Sequence, residues 1–155
     1  RPKRVFYLDF DRRHVISGLL NISLPEQFGP ELFGIYPFEN INTNFVIQIS
    51  SGLPYTPNTL EDGDQLIVEK NSGRKGGVSQ IDMRLERIIK ISDVRFSAFL
   101  KVTNLFDTIN PQYVWTATGD PWDGGRITQN TPDRQRNPAN IDIRRRIQVG
   151  VRIDL

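Results

Sequence analysis

Hydrophobic and polar residues alternate most regularly in the last ten residues of the chain. The apolar positions are Ile147, Val149, Val151, Ile153 and Leu155, and the positions between them are Arg146, Gln148, Gly150, Arg152 and Asp154. A period of two places successive side chains on opposite faces of a β-strand. The pattern predicts a strand near 145–155 that has one aliphatic face and one polar face.

Four earlier segments share this period, near 14–24, 41–51, 80–91 and 94–104. Only Ser92 and Asp93 separate the last two of them, which is the spacing of a tight antiparallel hairpin. No helical period competes with the alternation in these segments. We therefore expect an all-β chain built on an antiparallel sheet.

The connections between the predicted strands differ strongly in length. Residues 52–79 and 105–143 form long links rich in Gly, Pro, Asn and Asp, whereas the link at Ser92 is minimal. Long loops are uncommon in compact soluble domains, but outer-membrane barrels have short periplasmic turns and long external loops. Strands of about 9–11 residues also suffice to cross a bilayer. The pattern favours an antiparallel transmembrane β-barrel with a periplasmic carboxy terminus, and a soluble all-β module remains the alternative.

Two features fit the barrel pattern less well. Residues 25–40 are long for a periplasmic turn, and their aromatic residues predict either an interfacial girdle or a surface loop on a soluble core. Arg87 falls on the apolar row of its strand, where a lipid-facing arginine costs about 2–4 kcal/mol at the membrane midplane. We expect a β-bulge at Arg87 and Ile88 that would shift the register and remove this conflict.

The composition narrows the class of protein without deciding it. The 155 residues are 37% hydrophobic and 25% charged, which is typical of soluble proteins but also of barrels, whose strands average lipid-facing and polar positions. No run approaches the roughly 20 apolar residues of a membrane-spanning helix. The 20 basic and 18 acidic residues are too balanced to indicate nucleic-acid binding, and the absence of cysteine excludes disulfides and thiol chemistry. Because the chain starts at Arg1 and its single methionine is Met83, we expect it to begin downstream of the translation start.

Five short motifs, in order along nearly the whole chain, carry a resemblance to a known family. They lie at residues 8–14 (LDFDRRH), 50–57 (SSGLPYTP), 80–85 (QIDMRL) with 100–107 (LKVTNLFD), 118–121 (TGDP) and 137–140 (NPAN). In this order they resemble the end of the barrel in TonB-dependent outer-membrane receptors.

The resemblance implies that the chain contributes the last five or so strands of a barrel of about 22 strands. The plug domain of such receptors is not present in the sequence. A receptor of this family binds a nutrient, such as a metal chelate or an oligosaccharide, and imports it across the bacterial outer membrane. The implied partners are the rest of the barrel, the plug, the inner-membrane energy-coupling complex, the lipid bilayer and, for some receptors, a surface lipoprotein. A passive porin or another outer-membrane barrel is the closest alternative.

The candidate functional residues follow from this placement. Aromatic and acidic residues of the longest loop either contact a ligand or anchor the loop: Tyr113, Trp115, Asp120, Trp122 and Asp123. Polar strand residues are expected to face the lumen or the plug: Arg95, Lys101, Gln148 and Arg152. The carboxy-terminal insertion signal would comprise Val151, Ile153 and Leu155, although family members commonly end in an aromatic residue. His14 is the only histidine, so we predict no catalytic centre, metal site or cofactor.

Overall fold

A computed structural model describes residues 4–58, 60–61, 64–65, 68–91, 94–125 and 135–154. Its long strands are β1 (Val15–Leu24), β2 (Ile41–Ser50), β7 (Val78–Ile91), β8 (Val94–Thr103) and β9 (Arg146–Asp154). Its two-residue strands are β3 (Pro54–Tyr55), β4 (Leu60–Glu61), β5 (Asp64–Gln65) and β6 (Gly73–Arg74). A 3-10 turn covers Pro138–Asn140, and Asn137 caps it by accepting a hydrogen bond from the Ala139 N–H.

The five long strands form one sheet in the order β1-β2-β7-β8-β9. The short strands pair as β3 with β6 and β4 with β5, in antiparallel fashion. The prediction of an all-β chain with a five-stranded antiparallel sheet is therefore confirmed. The long strands are neighbours in the order in which they occur along the chain, so the sheet is a meander with β1 and β9 as its edges. It does not close on itself.

The register between the last three long strands is regular over their full paired length. β7 pairs with β8 from Met83↔Val102 to Ile91↔Val94, and β8 pairs with β9 from Arg95↔Asp154 to Thr103↔Arg146. Since Arg87 pairs with Ala98 and Ile88 with Ser97 inside this ladder, the expected bulge at Arg87 and Ile88 is wrong. Arg87 stays on the apolar row because its Nη2 donates a hydrogen bond to the Tyr36 carbonyl oxygen at 3.0 Å. Because this hydrogen bond gives the guanidinium a polar partner, the Arg87 side chain can stay on the apolar face without a change of register.

The chain divides into two compact units. The first, here called the loop unit, comprises Arg1–Ile16, Gln48–Ser79 and Ile109–Arg144. The second, here called the sheet unit, comprises Ser17–Ile47, Gln80–Thr108 and Arg145–Leu155. The sheet unit holds β8, β9 and most of the other long strands, and the loop unit holds the short strands and the 3-10 turn.

The buried residues are mostly polar. Apart from Pro54, Val102 is the only aliphatic or aromatic side chain that is buried among the described residues, at 5% exposure. The buried polar residues are Ser50, Asn71, Ser97, Asn104 and Asn110. Within the same described ranges, no helix has the length and apolar content needed to cross a membrane. Hydrogen bonds to side-chain amides, more than an apolar core, therefore organise this chain.

Candidate functional site

The sheet unit has one apolar face, which Arg87 interrupts in β7. In an antiparallel ladder, directly opposed residues lie on the same face, so the rows of β7, β8 and β9 combine there. The members from β8 and β9 are Phe96, Ala98, Leu100, Val102, Ile147, Val149, Val151 and Ile153. The four β9 residues remain 58 to 78% exposed, with Val149 the most exposed. A sheet with an aliphatic face of this kind normally buries it against a second layer.

The opposite face of the same strands is polar. The register places Arg95 opposite Asp154, Lys101 opposite Gln148, and Ser97 opposite Arg152. The four residues that the sequence assigned to one face, Arg95, Lys101, Gln148 and Arg152, thus do share a face, and all four are exposed. Their contact with a lumen or a plug stays a prediction.

A close packing contact lies in the middle of this polar face. The ring of Phe99 covers Gly150 so closely that a Cβ at Gly150 would lie 2.5 Å from Cζ of Phe99. The guanidinium of Arg84 lies 4.8 Å from the centroid of the same ring and pairs with Glu86 at 3.1 Å. A glycine within a strand is the sequence signal for such a close approach.

An arginine ties three segments of the loop unit together. Arg74 forms an ion pair with the carboxylate of Asp11, and its Nη1 donates to the carbonyl oxygens of Asp11 at 3.1 Å and Gly52 at 3.2 Å. The neighbouring Arg12 donates to the hydroxyl of Ser50. The backbone N–H of His14 donates to Oγ of Ser51 at 3.1 Å. The Asp11 carboxylate is therefore bound to Arg74 and helps to hold these segments of the loop unit together.

Asn71 is a second node of the loop unit. It is 4% exposed and adopts a left-handed backbone conformation with φ of 61°, which asparagine tolerates better than most residues. Its Nδ2 donates to the Tyr7 carbonyl oxygen at 2.7 Å and to Asp9 Oδ1 at 2.6 Å. The hydrogen bond from Asn71 and then the charge of Lys70 lower the pKa of Asp9 below its ordinary value of 3.8.

Two aromatic rings and Lys70 line a groove next to this node, and two arginines lie close to one of the rings. The ammonium of Lys70 lies 4.9 Å from the Phe6 ring centroid, and the guanidinium groups of Arg13 and Arg74 lie 5.4 and 5.3 Å from that of Tyr7. The groove has a volume of about 400 Å³ and is lined by Val5, Phe6, Tyr7, Glu69, Lys70 and Ser72. Such a mixture of ring faces and charges is suited to a polar ligand that also has an apolar surface.

The candidate loop residues have different roles in the structure. Asp120 accepts hydrogen bonds from the backbone N–H groups of Trp122 at 2.7 Å and Asp123 at 2.9 Å, and Asp123 accepts one from Gly125 at 2.8 Å. These carboxylates fold the loop, as aspartates commonly do in turns.

The aromatic residues of that loop differ from one another in their exposure and in their contacts. Tyr113 is 61% exposed, and the Lys75 ammonium lies 5.7 Å from its ring centroid. Trp122 is half-buried, and so is Trp115, whose buried Nε1 has no hydrogen-bond partner among the described residues. Tyr113 is therefore the member of the set that is most available to a ligand.

Two further asparagines secure the ends of strands, and sequence reasoning missed both as structural nodes. Asn104, after β8, is 1% exposed, has φ of 54°, and exchanges hydrogen bonds with Thr108 through both polar atoms of its amide. Asn110 is 3% exposed and accepts from the N–H of Ser79 at 2.9 Å while donating to its carbonyl oxygen at 3.1 Å. For Asn104, which directly follows β8, asparagine after a strand was the available signal. Asn110 does not follow a strand directly and carried no such signal.

The predicted carboxy-terminal insertion signal is only partly described. In the predicted insertion signal, Val151 and Ile153 lie exposed on the apolar face, while Leu155 lies outside the described residues. No cluster of three or more potential metal ligands occurs within the ranges that the structure describes. Comparisons of the chain with protein-family models, with curated proteins and with solved structures found no match.

Proposed function

We propose that the chain forms the carboxy-terminal strands of an outer-membrane β-barrel receptor of the TonB-dependent type, which imports a nutrient such as a metal chelate or an oligosaccharide. The observation that carries the proposal is the two-sided sheet. Its strands present an exposed aliphatic face, with Val149 at 78% exposure, directly behind a face of charged residues. Barrels in the outer membrane alternate lipid-facing and lumen-facing residues in this way.

The energetics of the apolar face support a lipid environment. Removing a mostly exposed aliphatic side chain from water gains about 1 to 2 kcal/mol, and the β9 row alone contains Ile147, Val149, Val151 and Ile153. If the apolar face were exposed to water, this free energy would not be gained at any of these positions. A hydrocarbon layer supplies it without a second layer of protein, which agrees with the presence of a single buried hydrophobic residue among those described.

The open edges of the sheet support the same proposal. β1 and β9 are edge strands, and unpaired backbone groups are not tolerated in the hydrocarbon core. In a membrane, further strands must pair with both edges. The order of the five sequence motifs suggests a receptor barrel of about 22 strands, closed around a plug. The plug would then couple the barrel to the energy-transducing complex of the inner membrane.

The loop unit would form part of the external ligand-binding region. Tyr113 and the groove beside Phe6, Tyr7 and Lys70 offer exposed aromatic surface with nearby cations. Glu69 also lines the groove and Lys70 is paired with Asp9 at 3.7 Å, so this chemistry suits a ligand that combines polar groups with an apolar surface. A surface lipoprotein is a further candidate partner at this side, and no step of the proposal requires an enzyme.

The experiment that tests the proposal places one arginine on each face of β9. Val149→Arg would put a charge into lipid, at a cost of about 2–4 kcal/mol near the membrane midplane. Gln148→Arg, the matched control one residue away, would add the same charge to the polar face. We expect Val149→Arg to abolish the heat-modifiable band on unboiled denaturing gels of outer-membrane fractions, and Gln148→Arg to retain it.

Other outcomes would identify the alternatives. If Val149→Arg is neutral and the chain is found in the soluble fraction, the chain is a soluble all-β binding module and the proposal is wrong. A normal heat-modifiable band accompanied by ligand uptake that needs no energy from the inner membrane would identify a passive porin.

A further inference from the structure

Residues 25–40 connect β1 to β2 and contain a small hairpin. Leu32 and Ile35 form an antiparallel bridge with backbone hydrogen bonds of 2.9 and 3.1 Å in the two directions. The two residues between them, Phe33 and Gly34, have φ values of 55° and 77°. Positive φ at both central positions is typical of a type I′ turn. The segment therefore ends in a tight turn with a phenylalanine at its tip.

The hairpin presents an unusual amount of apolar surface. Phe33 is completely exposed, at 102%, and it occupies a backbone conformation that is unfavourable for a bulky residue. Leu32 is 52% exposed and Ile35 61% exposed. Phe28 and Phe38 in the same connection are 45% and 50% exposed. Neither the turn conformation nor burial within the described residues accounts for a phenylalanine at this tip, so its role lies in contact with something outside the chain.

The base of the connection is held firmly by polar contacts. The N–H of Asn40 donates to the Pro25 carbonyl oxygen at 3.3 Å, and the N–H of Gln27 donates to Glu39 at 3.2 Å. Glu26 pairs with Lys90 of β7 at 3.2 Å. The exposed tip is thus a defined projection from a closed base.

Arg87 fixes the side of the sheet from which the connection leaves. It belongs to the apolar row of β7, opposite Ala98, and it donates to the carbonyl oxygen of Tyr36. The backbone next to the hairpin therefore lies on the apolar side of the sheet unit. The Nε atom of Arg87 is buried without a hydrogen-bond partner among the described residues, whereas Lys90 pairs with Arg95 in the ladder and lies on the polar face. A cation such as Arg87 beside exposed aromatic and aliphatic residues is typical of the boundary between lipid headgroups and hydrocarbon.

We propose that the hairpin around Phe33 inserts into the adjacent phospholipid leaflet and anchors this end of the sheet to the membrane. The inference rests on the proposed function, because it requires the apolar face to contact lipid. It adds a second lipid contact, made by a connecting segment and separate from the strands. Arg87 lies at the headgroup level, and Phe33 reaches the hydrocarbon boundary.

The absence of cysteine in the chain allows a direct test by single-cysteine labelling. Phe33→Cys, Val149→Cys and Gln148→Cys are made separately in the complete membrane protein and labelled with an environment-sensitive fluorophore. Each is reconstituted into phospholipid vesicles with and without nitroxide-labelled lipid, and quenching by aqueous iodide is measured in parallel. Because Phe33 is fully exposed, its replacement leaves the packing of the chain unchanged.

We expect lipid nitroxides to quench the labels at positions 33 and 149 about twofold or more above the label at position 148, with iodide showing the reverse order. Quenching at position 149 but not at position 33 would overturn the hairpin anchor and leave the proposed function intact. Protection of position 33 from both quenchers would also overturn it, since a protein surface would then cover the tip. Absence of lipid quenching at position 149 would overturn the proposed function itself.

Discussion

The clearest energetic prediction concerns Asn104, which closes the turn after β8. Its side chain accepts hydrogen bonds from the Thr108 backbone N–H at 2.9 Å and from its hydroxyl at 3.0 Å, and donates to the Thr108 carbonyl oxygen at 2.9 Å. Its own N–H donates to Oδ1 of Asp82 at 2.9 Å. Substitution to alanine would remove these three side-chain bonds at a site that is 1% exposed, while leaving the backbone bond in place.

The size of the effect follows from two contributions. Each lost hydrogen bond costs about 0.5–1.5 kcal/mol, and holding alanine at a left-handed φ costs about 1–2 kcal/mol. For three hydrogen bonds and the backbone cost together, Asn104→Ala should therefore lower the free energy of unfolding by about 2.5 to 6.5 kcal/mol. Asn104→Gly loses the same hydrogen bonds but tolerates φ of 54°, so it should be more stable than the alanine variant by about 1 kcal/mol.

The measurement is urea unfolding of the purified protein in phospholipid vesicles, followed by intrinsic tryptophan fluorescence. Asn137→Ala is the control, because Asn137 is exposed and its side chain caps only the N–H of Ala139. That control should cost about 1 kcal/mol or less. The reasoning is refuted if Asn104→Ala is no more destabilising than Asn137→Ala, or if the glycine variant is less stable than the alanine variant.

Two further predictions test the packing and the charges of the described residues. Gly150→Ala should destabilise the sheet by about 1–3 kcal/mol in the same unfolding assay, because the new Cβ would overlap the Phe99 ring. Gly18→Ala is the matched control, since its Cβ would lie 3.7 Å from the nearest side-chain atom, and an equal loss in both variants would contradict the packing argument. The folded-state pKa of Asp9 is lowered, so its contribution to stability is present above pH 3.8 and is lost as the pH falls through the folded-state value. Asn71→Ala should raise the pKa of Asp9, measured by NMR titration, and an unchanged value would show that the hydrogen bond does not cause the shift.

The sequence alone determined the five long strands and the two faces of the sheet, but not the four two-residue strands within residues 52–79, a segment predicted to be a loop. The alternation from Ile147 to Ile153 follows from the local geometry of a strand, which sends successive side chains to opposite sides whatever the rest of the chain does. The short link after Ile91 likewise left β7 and β8 no arrangement other than an antiparallel hairpin. Arg95, Lys101, Gln148 and Arg152 could be assigned to a common face for the same reason.

The tertiary structure alone decided the contacts between distant segments. A bulge at Arg87 was a reasonable solution for an arginine on an apolar row, but its partner, the Tyr36 carbonyl oxygen, lies 51 positions earlier in the chain. The bond between Asn71 and Asp9 spans 62 positions. Hydrogen bonds of this kind depend on which backbone groups the fold brings within about 3 Å, and a periodic pattern carries no information on that.

The loop at Asp120 and the hairpin at Phe33 illustrate the same limit. The sequence marked Asp120 and Asp123 as candidate ligand groups, whereas the structure directs both carboxylates to backbone N–H groups within the loop. The exposure of Phe33 depends on the turn that carries it and on the lack of a described neighbour above it. Strand periodicity is a local property, so it can be read from the order of residues. The burial and pairing of loop side chains depend on distant segments, so only the folded chain determines them.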